Sequence, residues 1–140
     1  MKVMVCGSLG YEDNVQRIRE LQAFLMEKGF KILDQFKEGV LDYSYIRDFR
    51  DRKELAANIV EKDLELVKEA DIVVAMCDVP SFGTAIELFV AKKLGKTVIA
   101  FSKQPVASPW PIVFSDYIVD TEENLSKLLQ TLQNKKRFKA

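Results

Sequence analysis

The chain has 140 residues, of which 48% are hydrophobic, with 21 Lys plus Arg set against 21 Asp plus Glu. That length suits one domain, read as residues 1–140, and no apolar run is long enough to cross a bilayer. The balanced charge supplies no global field to gather nucleic acid, so the expected partner is a small molecule, with neither nucleic acid nor membrane involved. Histidine is absent, which removes the usual general base and the commonest nitrogen ligand for a metal. Cys6 and Cys77 alone make no zinc pattern, so acid–base chemistry falls to carboxylates and no metal or other cofactor is expected. No secretion signal is read, and the expectation is a cytoplasmic protein with both thiols reduced.

In chain order, "KVMVCGS" reads as a buried strand closing on a small-residue turn at Gly7 and Ser8. The next stretch, "YEDNVQRIRELQAFLMEKGF", places Val15, Ile18, Leu21 and Leu25 at helical spacing, keeps Glu12, Asp13, Glu20 and Glu27 off that face, and ends at Gly29. "FKILD" is a brief second strand, and "QFKEGVLDYSYIRDFRDRK" has charge and aromatics but no period, as expected of a cover over a cleft. A helix from Glu54 to Ala70, the strand "DIVVAMC", a helix from Thr84 to Leu94 and the strand "KTVIAF" follow. "SKQPVASPWPIVFS" holds three of the four prolines and reads as a loop, before the strand "DYIVD" and a terminal helix starting at Thr121.

Strands separated by helices predict an α/β fold: a single-domain, flavodoxin-like (Rossmann-like) five-stranded parallel sheet with helices on both faces. In such sheets ligands lie beyond the carboxyl ends of the strands, where strand order reverses. The loops at Gly7–Ser8, Asp78–Phe82 and Ser102–Trp110 all leave that edge.

Two acids break the sorting of the helices. On the Glu54–Ala70 wheel, Leu55, Ile59, Val60, Leu66 and Val67 share one half, and Asp63 falls near its middle while the other acids and lysines take the opposite half. On the Thr84–Leu94 wheel, Glu87 sits among Val90, Ala91 and Leu94, opposite Lys92 and Lys93. An ionised carboxylate buried without partners costs several kcal/mol, so such residues are retained when paired, hydrogen-bonded or lining a cavity. One helix enters the third strand and the other leaves it, so lining one crevice is expected to require that Asp63 reach over the sheet edge. Ser81, Gly83 and Thr84 stand at the helix start, where free N–H groups favour an anion. A serine there also reads simply as an N-cap.

These residues resemble a known pattern. "CGS" after the first strand, followed by "EKDLELVKEADIVVAMCDVPSFGTAIELFVAKKLGKTVIAF", is similar to the core of the nucleoside 2-deoxyribosyltransferase superfamily, including the related 2'-deoxynucleoside 5'-monophosphate N-glycosidases. The resemblance implies that Glu87 is the nucleophile at the anomeric carbon, and that Asp63 binds substrate and assists the departing base. It also implies substrate binding by Cys6, Gly7, Ser8, Ser81, Gly83 and Thr84. Position 81, aspartate in the transferases and serine in the nucleotide hydrolases, is Ser81 here, and serine donates to a 5'-phosphate that aspartate would repel. It further implies a homodimer or higher homo-oligomer with shared sites and Ser108 reaching the neighbour's phosphate. The chain departs from the pattern at Met4, where tyrosine is frequent, at Leu9-Gly10-Tyr11, which lacks an arginine, and at Phe89 in place of glycine. Tyr11, Tyr43 and Tyr45 are candidates to replace the missing ring. Water as acceptor gives a hydrolase and a second base gives a transferase. The alternatives are a cytokinin-riboside-type phosphoribohydrolase, of whose "GGxGTxxE" signature Gly83, Thr84 and Glu87 are present, a non-catalytic nucleotide-binding module, and a domain acting only through a partner surface.

Overall fold

The computed structural model of the chain describes residues 1–9, 14–37 and 43–139. Strands β1 (Lys2–Cys6), β2 (Lys31–Leu33), β3 (Ile72–Met76), β4 (Thr97–Phe101) and β5 (Tyr117–Val119) pair in parallel in the order β2-β1-β3-β4-β5. Helices α1 (Asn14–Glu27), α2 (Lys53–Glu69), α3 (Phe82–Lys93), α4 (Pro109–Val113) and α5 (Glu122–Lys139) connect and follow them. The α/β class and flavodoxin-like order are those expected from the alternation of periods.

Strand order decides which helices become neighbours. From β1 the chain steps one way to β2, then crosses back over β1 to β3 and continues in that direction to β4 and β5. Because each parallel crossover is right-handed, α1 falls on one face of the sheet while α2 and α3 fall on the other. Side chains alternate accordingly. Val3, Val5, Val74 and Ile99 pack with Ile18 and Leu25 of α1 and with Leu125 and Leu129 of α5. Met4, Cys6, Val73, Ala75 and Val98 pack with Val67 of α2 and with Leu88 and Ala91 of α3. Asp63 therefore has no edge to reach over: α2 and α3 already lie side by side on one face, contrary to the requirement drawn from the order of the elements.

Two helix ends show how local sequence sets these boundaries. Gly29 and Gly95 have φ of 91° and 76°, a conformation that side chains resist. After each glycine the next N–H reaches back five residues, Phe30 to the Leu25 carbonyl (3.1 Å) and Lys96 to that of Ala91 (3.0 Å), closing a Schellman turn.

Three expectations change. The proline-rich stretch read as a loop contains α4: Ser108 caps it, and Pro109 and Pro111 occupy the first turn, where a missing N–H costs no helical bond. Val60 and Leu94, placed on inward faces by their wheels, are 55% and 46% exposed. Periodicity reports an apolar stripe, whereas only packing decides how much of its width is covered. Gly10, Tyr11, Glu12, Asp13 and residues 38–42 of the expected cover lie outside the described residues.

Candidate active site

The two misplaced acids come together. Six residues separate Asp63 from the end of α2 at Glu69, and five separate Glu87 from the start of α3 at Phe82. At about 1.5 Å per residue, one carboxyl stands roughly 9 Å above the lower edge of the sheet and the other roughly 7.5 Å below the upper edge. The strand between the helices has five residues, a span of about 17 Å, so the two side chains arrive at one height. The two carboxyls are hydrogen-bonded to each other. Glu87 is 7% exposed and Asp63 is partly buried.

Among the described residues neither carboxyl has a salt-bridge partner. Burial pushes the Glu87 carboxyl well above its ordinary range, and the Asp63 charge and their hydrogen bond push the same way. Burial also raises Asp63, with the hydrogen bond between the two carboxyls opposing. Two carboxylates in contact cannot both ionise cheaply, so the pair titrates as a unit and keeps a proton to higher pH than an isolated acid.

The start of α3 frames this pair. Ser81 is extended (φ −151°), and its Oγ accepts the Thr84 N–H at 3.2 Å, so the hydroxyl expected to meet a ligand also serves as the N-cap. Thr84 is buried, and among the described residues its Oγ1 has no hydrogen-bond partner. A Cβ added to Gly83 would lie 3.7 Å from Glu87 Oε1, 3.9 Å from Ser81 Oγ and 3.9 Å from Tyr43 Oη. Cys6 is buried beneath: burial, then the charges of Glu87 and Asp63, hold its thiol well above the usual range and keep it neutral.

The remaining expected residues have other surroundings. A Cβ on Gly7 would meet Ile18 Cδ1 and Met76 Cβ, both at 3.3 Å, so this glycine lets α1 approach β3 on the opposite face. Ser8 is buried, and its carbonyl accepts Asn14 Nδ2 at 2.7 Å. Ser108 Oγ accepts the Trp110 N–H at 3.4 Å and caps α4, which packs on α3 through an edge-to-face contact of Phe89 and Phe114 at 5.2 Å.

Two features escaped sequence reasoning in whole or in part. Asp78 closes the carboxyl edge: with its side chain 7% exposed, its Oδ2 accepts Arg17 Nη2 at 3.2 Å and the Lys103 N–H at 3.3 Å, tying α1 to the loop after β4. The only available signal was an acid immediately after a buried strand. Of the three candidate rings Tyr43 is brought to Gly83, Tyr45 is 75% exposed, and Tyr11 lies outside the described residues. Upstream, Gln35 Nε2 donates to the Val5 carbonyl at 2.7 Å and Gln35 Oε1 accepts Gln22 Nε2 at 2.9 Å.

With an α/β sheet of this order and an acid pair at its switch point, comparison with known proteins becomes informative. The profile of the nucleoside 2-deoxyribosyltransferase family matches residues 3–131. The chain belongs to that family, whose members are enzymes of glycosyl transfer and cleavage. A search of curated proteins finds no match. Among solved structures, the 2-deoxyribosyltransferase of Bacillus psychrosaccharolyticus is similar at 20% identity with a TM-score of 0.71, over 90% of each chain. The CMP N-glycosidase BcmB of Clostridium botulinum is similar at 24% identity with a TM-score of 0.57, over 94% of this chain and 99% of its own. A conserved protein of Enterococcus faecalis is similar at 19% identity with a TM-score of 0.68, over 94% of this chain and 98% of its own. These likenesses share the fold.

Proposed function

We propose that the protein cleaves the N-glycosidic bond of a nucleoside 5'-monophosphate or nucleoside, in the ribo or deoxyribo series, with Glu87 as nucleophile and Asp63 as acid. The observation that carries this reading is the buried, hydrogen-bonded pair Asp63–Glu87 beside the start of α3, with which no cation pairs among the described residues. A pair holding one proton suits the reaction. With that proton on Asp63, Glu87 is the ionised nucleophile and Asp63 the loaded acid at once. The Glu87 carboxylate then bonds to C1' as the C1'–N bond breaks, and its electrons pass to the base nitrogen, which takes the proton from Asp63. Water or a second base next attacks C1', loses a proton to Asp63 and releases Glu87, so the pair regains its single proton.

The family match favours this chemistry over the phosphoribohydrolase alternative, and the single Gly83 lacks the doubled glycine of that signature. Ser81 in place of an acid favours a phosphorylated substrate, and BcmB is by name an N-glycosidase of a monophosphate. The test incubates monophosphates and nucleosides, each with either sugar, with and without a second base. Free base released by the wild type and reduced at least about a thousandfold in Glu87→Ala is expected. Binding without release by the wild type would favour the nucleotide-binding module, and release retained in Glu87→Ala would remove the nucleophile.

The working unit is proposed to be a homodimer or larger. Phe82, Ile86 and Phe89 form an exposed stripe on α3, continued by Trp110 and Val113 on α4 and by Ile118 on the edge strand β5. A contiguous apolar face of this kind marks an interaction surface, and light scattering should give at least twice the mass of one chain. A monomer would overturn this assignment. No helix among the described residues is long and apolar enough to cross a membrane.

A further inference from the structure

Resting on the start of α3 as the place that receives the 5' end of the substrate, we infer that Asp78 is a positioning residue for that subsite. It fixes the β3–α3 connection from the opposite face of the sheet, and so sets how tightly substrate is held rather than how fast it reacts. Residues 77–81 join β3 to α3. The Cys77 N–H still bonds the Phe101 carbonyl at 2.8 Å, and helical bonding begins with the Ala85 N–H on the Ser81 carbonyl at 3.2 Å. Between these points, among the described residues, no backbone hydrogen bond holds Asp78, Val79 or Pro80, and Pro80 has no N–H to offer. The Asp78 side chain takes that role. Its Oδ2 accepts Arg17 Nη2 from α1 at 3.2 Å and the Lys103 N–H after β4 at 3.3 Å, so one oxygen is held from two sides.

The acid is kept here at a cost. Its side chain is 7% exposed, and Oδ1 is buried without a partner among the described residues. An unpaired buried oxygen lowers stability, and Arg17 is 40% exposed, so solvent weakens the ion pair. What the arrangement supplies is position. Asp78 stands three residues before Ser81, whose Oγ caps α3 at the Thr84 N–H. Glu87 lies deeper in the helix and is followed by Leu88 and Ala91, both buried in the α2/α3 core. Those contacts hold that part of α3 on the sheet whatever the connection does. Loss of Asp78 therefore loosens the first turn and leaves the nucleophile in place.

The test uses the whole chain and the preferred substrate of the wild type. Asp78→Ala should raise KM about 5- to 20-fold, within the worth of one hydrogen bond to a charged group, with kcat changed less than about threefold. Asp78→Asn keeps an oxygen for the Lys103 N–H and should fall between. Arg17→Met should raise KM less than Asp78→Ala does, and adding it to Asp78→Ala should change nothing further, since both act through one contact. Amide exchange on the ligand-free proteins gives a readout independent of turnover. In Asp78→Ala the Thr84 N–H should exchange at least about tenfold faster, while the Leu88 N–H and those of β3 keep wild-type rates. Equal acceleration at all of these amides would make Asp78 merely structural and overturn the inference, as would a fall in kcat as large as the rise in KM, a wild-type KM, or an unchanged Thr84 rate. Base release absent in the wild type, or retained in Glu87→Ala, would instead overturn the proposed reaction, and the exchange rates alone would then decide the role of Asp78.

Discussion

The two faces of one sheet treat their buried acids in opposite ways. On the α1/α5 face, Gln22, Gln35 and the Val5 carbonyl form a hydrogen-bonded chain, Lys103 pairs with Glu122, and Arg17 pairs with Asp78 through Oδ2, while Asp78 Oδ1 has no partner among the described residues. A groove of about 420 Å³ runs there over Leu21, Phe24, Met76 and Phe101, and the cations that flank it already have partners. On the α2/α3 face, two carboxyls have each other, among the described residues no cation pairs with them and Thr84 Oγ1 has no partner, and apolar side chains of α3 are exposed. Two acids buried in contact without a cation reduce stability and persist where a ligand or a reaction needs them, so the chemistry of the α2/α3 face points to the candidate site.

The sharpest way to break this comparison is one substitution on each face. Asp63→Asn should lower kcat by about 10²- to 10⁴-fold, the usual contribution of a positioned acid, without lowering the melting midpoint. Leu129→Ala, in the fully buried core under α5, should cost about 2–5 kcal/mol in denaturant unfolding and leave kcat/KM unchanged below the transition. Activity lost in Leu129→Ala beyond its unfolded fraction would show that the faces are not separable.

A smaller effect comes from pH. The folded pKa of Glu87 lies above its ordinary value of 4.5, so between these values the folded state binds more protons than the unfolded one. The resulting stability is fully present below about 4.5 and is lost as pH rises through the folded pKa, with a slope of at most about 1.4 kcal/mol per pH unit for one proton. Glu87→Gln should remove that slope, so its stability should exceed that of the wild type increasingly as pH rises from 5 to 8. Parallel curves for the two proteins would show that Glu87 is ordinary when folded.

Much of this was legible in the chain because it is local. Periods of two and of nearly four residues reported the strands and long helices, and Asp63 and Glu87 announced themselves by standing where their own helices are apolar. Their meeting followed from strand order and from handed crossovers once β3 was known to lie beside β1 rather than β2. What stayed hidden is non-local or lacks a period. Tyr43 lies in a stretch without a period, and Gln35 carries no sign in the sequence of its partner, the Val5 carbonyl. α4 was masked by prolines that are harmless only because they fall in its first turn. The exposure of Val60 and Leu94 depends on what covers them, which no wheel contains.

The smallest predicted effect concerns two glycines, both expected at the outset to bind substrate and placed on opposite faces. At Gly7 a methyl group would meet Ile18 and Met76 at 3.3 Å, and Met76 Cβ is fixed by its strand, so Gly7→Ala must displace α1. Overpacking of this kind costs about 1–3 kcal/mol. At Gly83 the nearest atom lies at an ordinary 3.7 Å, and alanine in the first turn of α3 stiffens the unfolded chain less favourably for unfolding, a gain of up to about 1 kcal/mol. That methyl group would nevertheless lie within 4 Å of both Tyr43 Oη and Glu87 Oε1. Gly83→Ala should therefore melt slightly higher than the wild type while turning over more slowly, and Gly7→Ala should melt lower with its kcat retained. Thermal melts beside initial rates on the same preparations decide it: a Gly83→Ala protein that is both more stable and fully active would mean that the space beside Gly83 is not used.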